Sequence, residues 1–444
     1  MKYTKFSKLW ESLHSSFWFV PTLMVVLSIG LSFVTIGIDQ TLETDIIGNL
    51  GWAYALGPNG SRAILSAIAG SMVSVATTAF SITIVALQLA SSQFGPRLLR
   101  NFMQDIGNQI VLGTFISTFV YSLMVLRTIN GVAENEFVPH LAVTGGIGLA
   151  IASIGVLIYF IHHAATSIQV DHVISNVGRE LDEAIDRLFP NKMGRGASKG
   201  RREPMTSDIP ANFEHDACPI QAASSSYIQA VDTSQLLQKA KEGNLLLRLQ
   251  QYPGDFVVKG SPLALVYPAD AVCKKLTEQI NDAFVLGSQR TDQQDVEFSV
   301  NQLVEIAVRA LSPGINDPFT AVRCIDQLSA ALCHLAQKEI PSAYRYDDED
   351  KLRVIAEPVT FVDMTDAAFN QIRQYGQTSV AVTMRLLEAI AVIAPFTHTK
   401  ADRAALLRHA DMIDRGSQEG IAEALDRNDI KERYLAAVKA IELH

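Results

Sequence analysis

Between Ser66 and Arg97 the chain reads SAIAGSMVSVATTAFSITIVALQLASSQFGPR. The run is apolar enough to cross a membrane, yet Ser, Thr, Gly and Gln return at nearly every turn. Hydroxyls and amides without a base beside them do not act as nucleophiles, but they can solvate water and ions along a pore. On a helix of about 100° per residue, with Ser66 at zero, Gly70, Ser74, Thr77, Thr78, Ser81, Gln88, Ser91 and Ser92 share a sector of roughly 140°. Ile64, Ile68, Val75, Phe80, Ile82, Ile84, Leu87 and Leu89 are assigned to the other side. Two readings compete. Small residues let helices pack closely, and hydroxyls bond to neighbouring backbones. Alternatively the stripe faces water and lines a pore made by several copies of the chain. Close packing needs Gly and Ala more than Gln88, and the stripe runs about seven turns. The expected pore-lining set is therefore Ser66, Gly70, Ser74, Thr77, Thr78, Ser81, Gln88 and Ser91. The shorter small-residue face Thr144, Gly148 and Ala152, with Gly145, Gly146 and Gly155 nearby, reads as packing.

Three further groups carry charge or polarity that could act. Arg97 and Arg100 follow a Gly-Pro break after the stripe and would ring the mouth of any pore; the excess of basic residues on cytoplasmic loops is the simpler and favoured account of both. In 309-RALSPGINDPFTAVRCIDQL-328, Ser-Pro-Gly ends one helix while Asp317 and Pro318 cap and start the next. That corner explains each residue, but Arg309, Asn316, Asp317 and Arg323 are also candidate ligand-binding groups, for an anion at a helix N-terminus or a cation on the carboxylate. Asp363 and Asp366 share a helix face and read as a solvated first turn. No HExxH, GxSxG, GxxxxGK[ST] or well-placed GxGxxG occurs, so no catalytic residue, metal site or cofactor is expected and an enzyme is the least favoured class. Cys218, Cys273, Cys324 and Cys333 show no ligand or disulfide spacing and read as reduced thiols. His162 and His163 read as interfacial rather than as metal ligands.

These residues need elements to hold them. A bilayer core of about 30 Å takes about 20 apolar helical residues, and four segments qualify: Phe17–Ile38, Arg62–Leu89, Ile106–Leu126 and His140–Ile161. None has an Asp, Glu, Lys or Arg at its centre, whereas coupled transporters usually keep one there. Lys2, Lys5 and Lys8 precede the first span, and Arg97 and Arg100 lie between the second and third. Asp39, Glu43, Asp45, Glu134 and Glu136 fall in the other two loops. The bias sets both termini in the cytoplasm. Trp18, Trp52 and Tyr159 fall near the expected interfaces.

Of the 444 residues, those in 1–163 hold seven basic and seven acidic side chains, so the whole net charge of −9 resides in 164–444. An acidic cytoplasmic part does not suggest nucleic acid as a partner. The expected organisation is a four-helix transmembrane domain (1–163), a connecting helix over Ser167–Leu188 with a basic linker (164–215), a small β module (216–268) and a helical cytoplasmic domain (269–444). In the β module, PGDFVVKGSPLALV resembles half of a biotinyl/lipoyl-like barrel. The modified-lysine motif is missing, so Lys239 and Lys241 read as surface residues. Thr291, with Gln294, is expected to cap a helix ending near Leu311. Later helices are expected near 363–374, 378–394, 399–427 and 430–442, with Ser379–Pro395 a buried bundle helix rather than a fifth span.

Taken together, the four spans, FSITIVALQLASSQFGPRLLRNF, PGDFVVKGSPLA and RALSPGINDPFTA resemble the predicted bacterial membrane-protein family called domain of unknown function 2254. The resemblance implies an inner-membrane setting and transfers no activity. The expected function is an oligomeric ion channel lined by the second span, mechanosensitive or ligand-gated through the cytoplasmic part. Its partners would be lipid, inorganic ions and further copies of the chain. The alternative is a membrane-anchored sensor or scaffold whose cytoplasmic domain binds a ligand or partner.

Overall fold

The computed structural model describes residues 18–41, 57–95, 105–131, 137–167, 169–189 and 208–443. Arg97, Arg100, Trp52, the N-terminal lysines, Glu43, Asp45, Glu134, Glu136 and residues 190–207 of the basic linker lie outside them. The chain divides into two compact units, Met1–Val173 and Ile174–His444.

The first unit holds α1 (Phe19–Thr41), α2 (Pro58–Phe94), α3 (Ile106–Thr128) and α4 (His140–Ser167), each long and apolar enough to cross a membrane. Helices suit that solvent because they satisfy every backbone N–H and C=O internally. Helix α3 is the centre and packs on α1, α2 and α4. Its buried side chains include Gln109, Ser117, Thr118, Tyr121 and Ser122. Ser117, Thr118 and Tyr121 bond across the bundle. Ser28 Oγ of α1 donates to Ser117 O at 2.7 Å. The Tyr121 hydroxyl donates to Ala142 O of α4 at 3.0 Å and lies 3.1 Å from Thr35 Oγ1 of α1. Thr118 and Ser153 hydroxyls meet at 3.3 Å.

The bundle is pinned at both ends. At one end, Asp39 accepts from the backbone N–H groups of Leu141 and Ala142 at 3.0 and 2.9 Å, so an acid from α1 covers donors that the first turn of α4 leaves unmet. Nearby, Arg62 Nη2 donates to Ile129 O at 2.7 Å. At the other end, Asp105 caps α3 through Gly107 N and lies 2.6 Å from His163 Nε2 of α4. A Cβ on Gly107 would sit 2.9 Å from Asp105 Oδ1, His163 Nε2 and the Tyr159 hydroxyl, so only glycine leaves room for this contact.

In the second unit, α5 (Val170–Leu188) buries Ile174, Val177, Leu181, Ala184 and Ile185. Its acids Asp182 and Asp186 pair with His334 and Lys338. After α6 (Phe213–Asp216) come β1 (Cys218–Gln221), β2 (Ser226–Val231), α7 (Thr233–Glu242), β3 (Leu246–Leu249), β4 (Phe256–Val257), β5 (Pro262–Tyr267), α8 (Lys274–Asn281) and β6 (Phe284–Gly287). Helix α7, TSQLLQKAKE, occupies the middle of the expected β module. Its Lys239 and Lys241 pair with Glu242 and Asp348.

The lipoyl-like barrel is corrected. The strands form two open sheets, ordered β1-β5-β3-β8-β7 and β4-β2-β6, and neither closes on itself. They face one core, with Ile220, Leu247, Leu263 and Val266 from the first sheet against Ile228, Val231, Val257 and Phe284 from the second. Strands from beyond 268 complete both sheets, β6 in the second and two more in the first. β7 (Tyr344–Tyr346) and β8 (Leu352–Ile355) form an antiparallel pair, and β8 joins β3 in parallel. A buried ion pair, Arg353 Nε to Asp347 Oδ2 at 2.7 Å, ties that hairpin, and Arg353 also reaches Asn244 at 2.8 Å.

The remaining helices form three hairpins: α9 (Val296–Ala310) with α10 (Pro318–Ala336), α11 (Phe361–Gly376) with α12 (Val380–Ile393), and α13 (Lys400–Gly420) with α14 (Ala424–Glu442). The hairpins stack side by side, α9, α11 and α13 in one row, α10, α12 and α14 in the other. Each hairpin therefore buries its apolar faces against its neighbours, as in repeat arrays. An ion ladder crosses the second row: Asp326 to Arg385, Arg385 to Glu388, and Glu388 to Arg433.

Three local expectations change. The helix expected over 399–427 breaks at Ile421–Glu423, where Glu423 caps α14. The cap of α9 is Asp295, accepting from Phe298 N; Gln294 instead grips both backbone polar groups of Val231. Asp363 forms a capping box with Thr360, and Asp366, half-buried, pairs with His409 and Arg408 of α13.

Candidate functional site

The outer face of α2 is the candidate. The helix has 37 residues, about 55 Å of length at 1.5 Å per residue, well beyond an apolar bilayer core of about 30 Å. Pro58 follows Gly57 at its first turn, where a missing N–H goes unnoticed.

One narrow face of α2 packs on its own bundle: Ser61, Leu65, Ala69, Met72, Ala76, Ala79, Thr83 and Ala90 are buried. On the wheel these span about 220–300°, nearly opposite the stripe centred near 50°. Ser66, Gly70, Ser74, Thr77, Thr78, Ser81 and Gln88 are all exposed, and Ser91 is half-buried. The structure thus brings the expected lining residues onto one face and turns that face away from the chain's own core. A correction to the wheel follows. Ile84 falls at about 0°, inside the stripe and not behind it, and Val85 falls at about 100°. Both are exposed, and they interrupt the polar row between Ser81 and Gln88.

Hydrogen bonding on the stripe is local. Ser74, Thr77, Thr78 and Ser81 each donate to the carbonyl four residues back, at 3.1, 2.9, 3.0 and 2.9 Å. Ser92 donates to Leu89 O at 2.9 Å. With their protons directed inward, these oxygens present lone pairs outward. Thr83, on the packed face, bonds back in the same way, so the habit itself is not special to the stripe.

Glycines separate packing from display. A Cβ on Gly113 would lie 3.2 Å from Pro21 Cα and would overlap Met24 Sδ, at 2.5 Å. On Gly145 it would lie 2.8 Å from the Tyr121 hydroxyl, and on Gly146 3.0 Å from Leu65 Cδ2. Those are packing glycines. At Gly70 nothing among the described residues comes within 4 Å. The same openness holds at Gly148 and Gly155, and Ala152 is exposed, so the face expected to pack in α4 does not do so within the chain. The neighbours Gly145 and Gly146 carry that role instead, and no sequence signal distinguishes the two sets.

At the other candidate, Asp317 is fully engaged as the cap of α10. It accepts from Phe319 N, Thr320 N and the Thr320 hydroxyl at 3.1, 3.2 and 2.6 Å. Asn316 takes a left-handed backbone with φ 52°, a conformation Asn tolerates. Arg309 lies 3.7 Å from Glu305 on its own helix, and Arg323 stands on α10. Ile315 and Phe319 are exposed on this corner. Among the described residues, no cluster of three His, Cys, Asp or Glu is gathered that could hold a metal ion.

Sequence reasoning missed one charged cluster where the β sheets meet the hairpins. Arg290 holds Asp295, with Nη2 to Oδ2 at 2.6 Å, and Gly254, at φ 99°, leaves room for the pair. Burial raises the Asp295 carboxyl above its ordinary range against the pull of Arg290. Burial and the negative charge of Asp295 raise Glu297 as well.

Residues 14–392 match the family described as predicted membrane protein (DUF2254). An uncharacterised protein of Mycobacterium bovis is 31% identical over 441 residues, covering 97% of this chain and 82% of the relative. An uncharacterised protein of Mycobacterium tuberculosis matches to the same extent. No solved structure matches the chain.

Proposed function

The chain belongs to the predicted membrane protein family DUF2254, and from that premise we propose that it is an oligomeric ion channel of a bacterial inner membrane, lined by α2. One observation carries the reading. The polar stripe of α2 lies opposite the face that packs on the chain's own bundle, so intrachain packing does not account for it. Hydroxyls and an amide facing lipid would gain nothing, whereas around a symmetry axis they would line a wet path with one helix from each copy. From Ser66 to Ser92 the stripe extends about 39 Å, the depth of a bilayer with its headgroups. Outward lone pairs favour cations modestly over anions. Ile84 and Val85 would form an apolar ring within that path, where a hydrophobic constriction can gate by dewetting.

The second reading keeps the spans as an anchor and makes the hairpin array, with the Asn316–Asp317 corner, a sensor or scaffold. Its supporting observation is the exposed pair Ile315 and Phe319 on a corner held by several hydrogen bonds. Neither reading invokes catalysis. A thiol test separates them. None of the chain's cysteines lies before Cys218, so Ser81→Cys, in a chain with the native cysteines replaced, reports one position. In a channel it reacts with a charged, water-soluble thiol reagent and the reaction blocks unitary currents in planar bilayers. In an anchor it stays unreacted in liposomes, and that outcome would sink the channel. Under a KCl gradient the reversal potential should shift toward that of potassium.

A further inference from the structure

The seam between the second and third hairpins encloses an imidazole with one unmet nitrogen. His409 of α13 has no exposed surface. Its Nε2 lies 2.6 Å from Asp366 Oδ1 of α11, and Phe369 of α11 packs edge-on against the ring at 5.8 Å between centroids. Its Nδ1 is buried with no hydrogen-bond partner. Asp366 is shared with Arg408 of α13, and the positive charges of Arg408 and of Arg373 on α11 both act against a charged ring. Several other charges on the elements packed against α13 form ion pairs or hydrogen bonds that do not involve His409. Arg385 of α12 holds Asp326 and Glu388, Arg433 of α14 holds Glu388, Lys431 of α14 holds Asp414, and the Tyr434 hydroxyl holds Asp411.

In the neutral ring, Nε2–H donates to Asp366 and Nδ1 is a bare acceptor, which a core tolerates. A proton on Nδ1 creates a buried donor with no acceptor, on a ring that already feels two guanidinium charges. A buried donor without a partner bears its full desolvation penalty, and only opening the seam supplies water to it. We infer that the α11–α13 seam is a proton-sensitive joint, at which proton uptake by His409 releases the α13–α14 hairpin from α11. Burial holds His409 below the usual histidine range, with Asp366 opposing. A base depressed in the folded state leaves the seam intact above the unfolded histidine value of about 6.5 and weakens it as pH falls below that. The released hairpin lies beyond the residues matched by the family, which end at 392.

The inference does not rest on the channel reading, and no current enters its test. Full-length protein in detergent micelles is compared at about pH 7.5 and about pH 5.5, across the histidine titration range. Two readouts are backbone hydrogen exchange, corrected for its intrinsic pH dependence, and exchange at the imidazole C2 carbon. The expected result is a loss of protection in α13 of about tenfold or more on acidification, α9 unchanged, and a His409 titration displaced below about 6.5. His409→Gln, which keeps a donor to Asp366 but cannot titrate, should remove the acid response. Equal protection of α13 at both pH values overturns the joint, as does an undiminished acid response in H409Q. If H409Q fails to fold, the wild-type pair still decides: an undisplaced His409 titration with α13 intact overturns it.

Discussion

Helices α2 and α3 are both rich in hydroxyls, and they use them in opposite directions. In α3, the buried Thr118 and Tyr121 hydroxyls meet partners on α1 and α4, and the Ser117 carbonyl accepts from Ser28 of α1. In α2, Ser74, Thr77, Thr78 and Ser81 are exposed and meet only their own backbone. Composition alone does not separate a helix that holds a bundle together from one that offers a surface; the direction of its polar side chains does. Polar groups enclosed by the fold should register in stability, and polar groups displayed by it should register in function.

The sharpest test of that contrast uses glycine. Gly113→Leu places a side chain against Pro21 and Met24, where even a Cβ overlaps. Overpacking costs about 1–3 kcal/mol or more, so the apparent Tm in detergent should fall by about 5–10 °C at about 2–4 °C per kcal/mol. Gly70→Leu adds the same side chain in open space. It should leave Tm unchanged while altering unitary conductance. Equal loss of stability in both would break the distinction.

A smaller loss is expected from Tyr121→Phe. The hydroxyl links α3 to Ala142 O and to Thr35. Cross-helix hydrogen bonds in membranes contribute about 0.6–1.7 kcal/mol, which corresponds to a fall of a few degrees in thermal denaturation. An unchanged Tm would mean that α3 is centred by shape alone.

In the second unit the same principle changes sign, because Glu297 is half-enclosed beside Asp295 and its carboxyl is raised by burial and like charge. A raised acid binds its proton more tightly folded than unfolded. Its contribution to stability is present at low pH and lost as pH rises through the folded value. Glu297→Gln should therefore raise the apparent Tm slightly at neutral pH, and the gain should shrink as pH falls toward about 4, the ordinary carboxylate range. Differential scanning fluorimetry across that range reads both. A lower Tm at neutral pH would mean that the contact of Glu297 with Arg290, at 3.8 Å, outweighs the repulsion.

The sequence makes the four spans legible almost to their ends, since uninterrupted apolar runs of that length leave few alternatives. It makes the stripe legible as well, since a helix wheel needs only spacing. It does not reveal which face of α2 packs inside. Ala69, Ala76 and Ala79 on a packed face look the same as residues facing lipid, because lipid is as apolar as a neighbouring helix. Nor does it reveal that α3 is central: Thr114, Ser117, Thr118, Tyr121, Ser122 and Thr128 also share a sector of about 140° on the wheel, and spacing does not say whether such a row meets neighbouring helices or water. The sheet escaped because β8 pairs with β3 across about a hundred residues, and such pairing leaves no local mark. Thr291 and Gln294 looked like a capping box, but a tertiary demand at Val231 claimed Gln294 and left the cap to Asp295.

The finest test uses one isosteric change at two sites. Threonine to valine keeps the shape and removes the hydroxyl. At Thr118, buried against Ser153, the change strands a partner and should cost about 1 kcal/mol. At Thr77, exposed and bonded only to Val73 O, it removes no contact with another helix, so stability should not move. Conduction should move instead: an apolar surface replaces an oxygen on the path, and water retreats from it. A drop in unitary current in Thr77→Val, with Thr118→Val conducting normally but melting lower, would separate the two helices by role. If Thr77→Val leaves currents intact, the stripe is not the conducting surface, and its outward face must be sought at a contact between copies, where the same variant would weaken the oligomer.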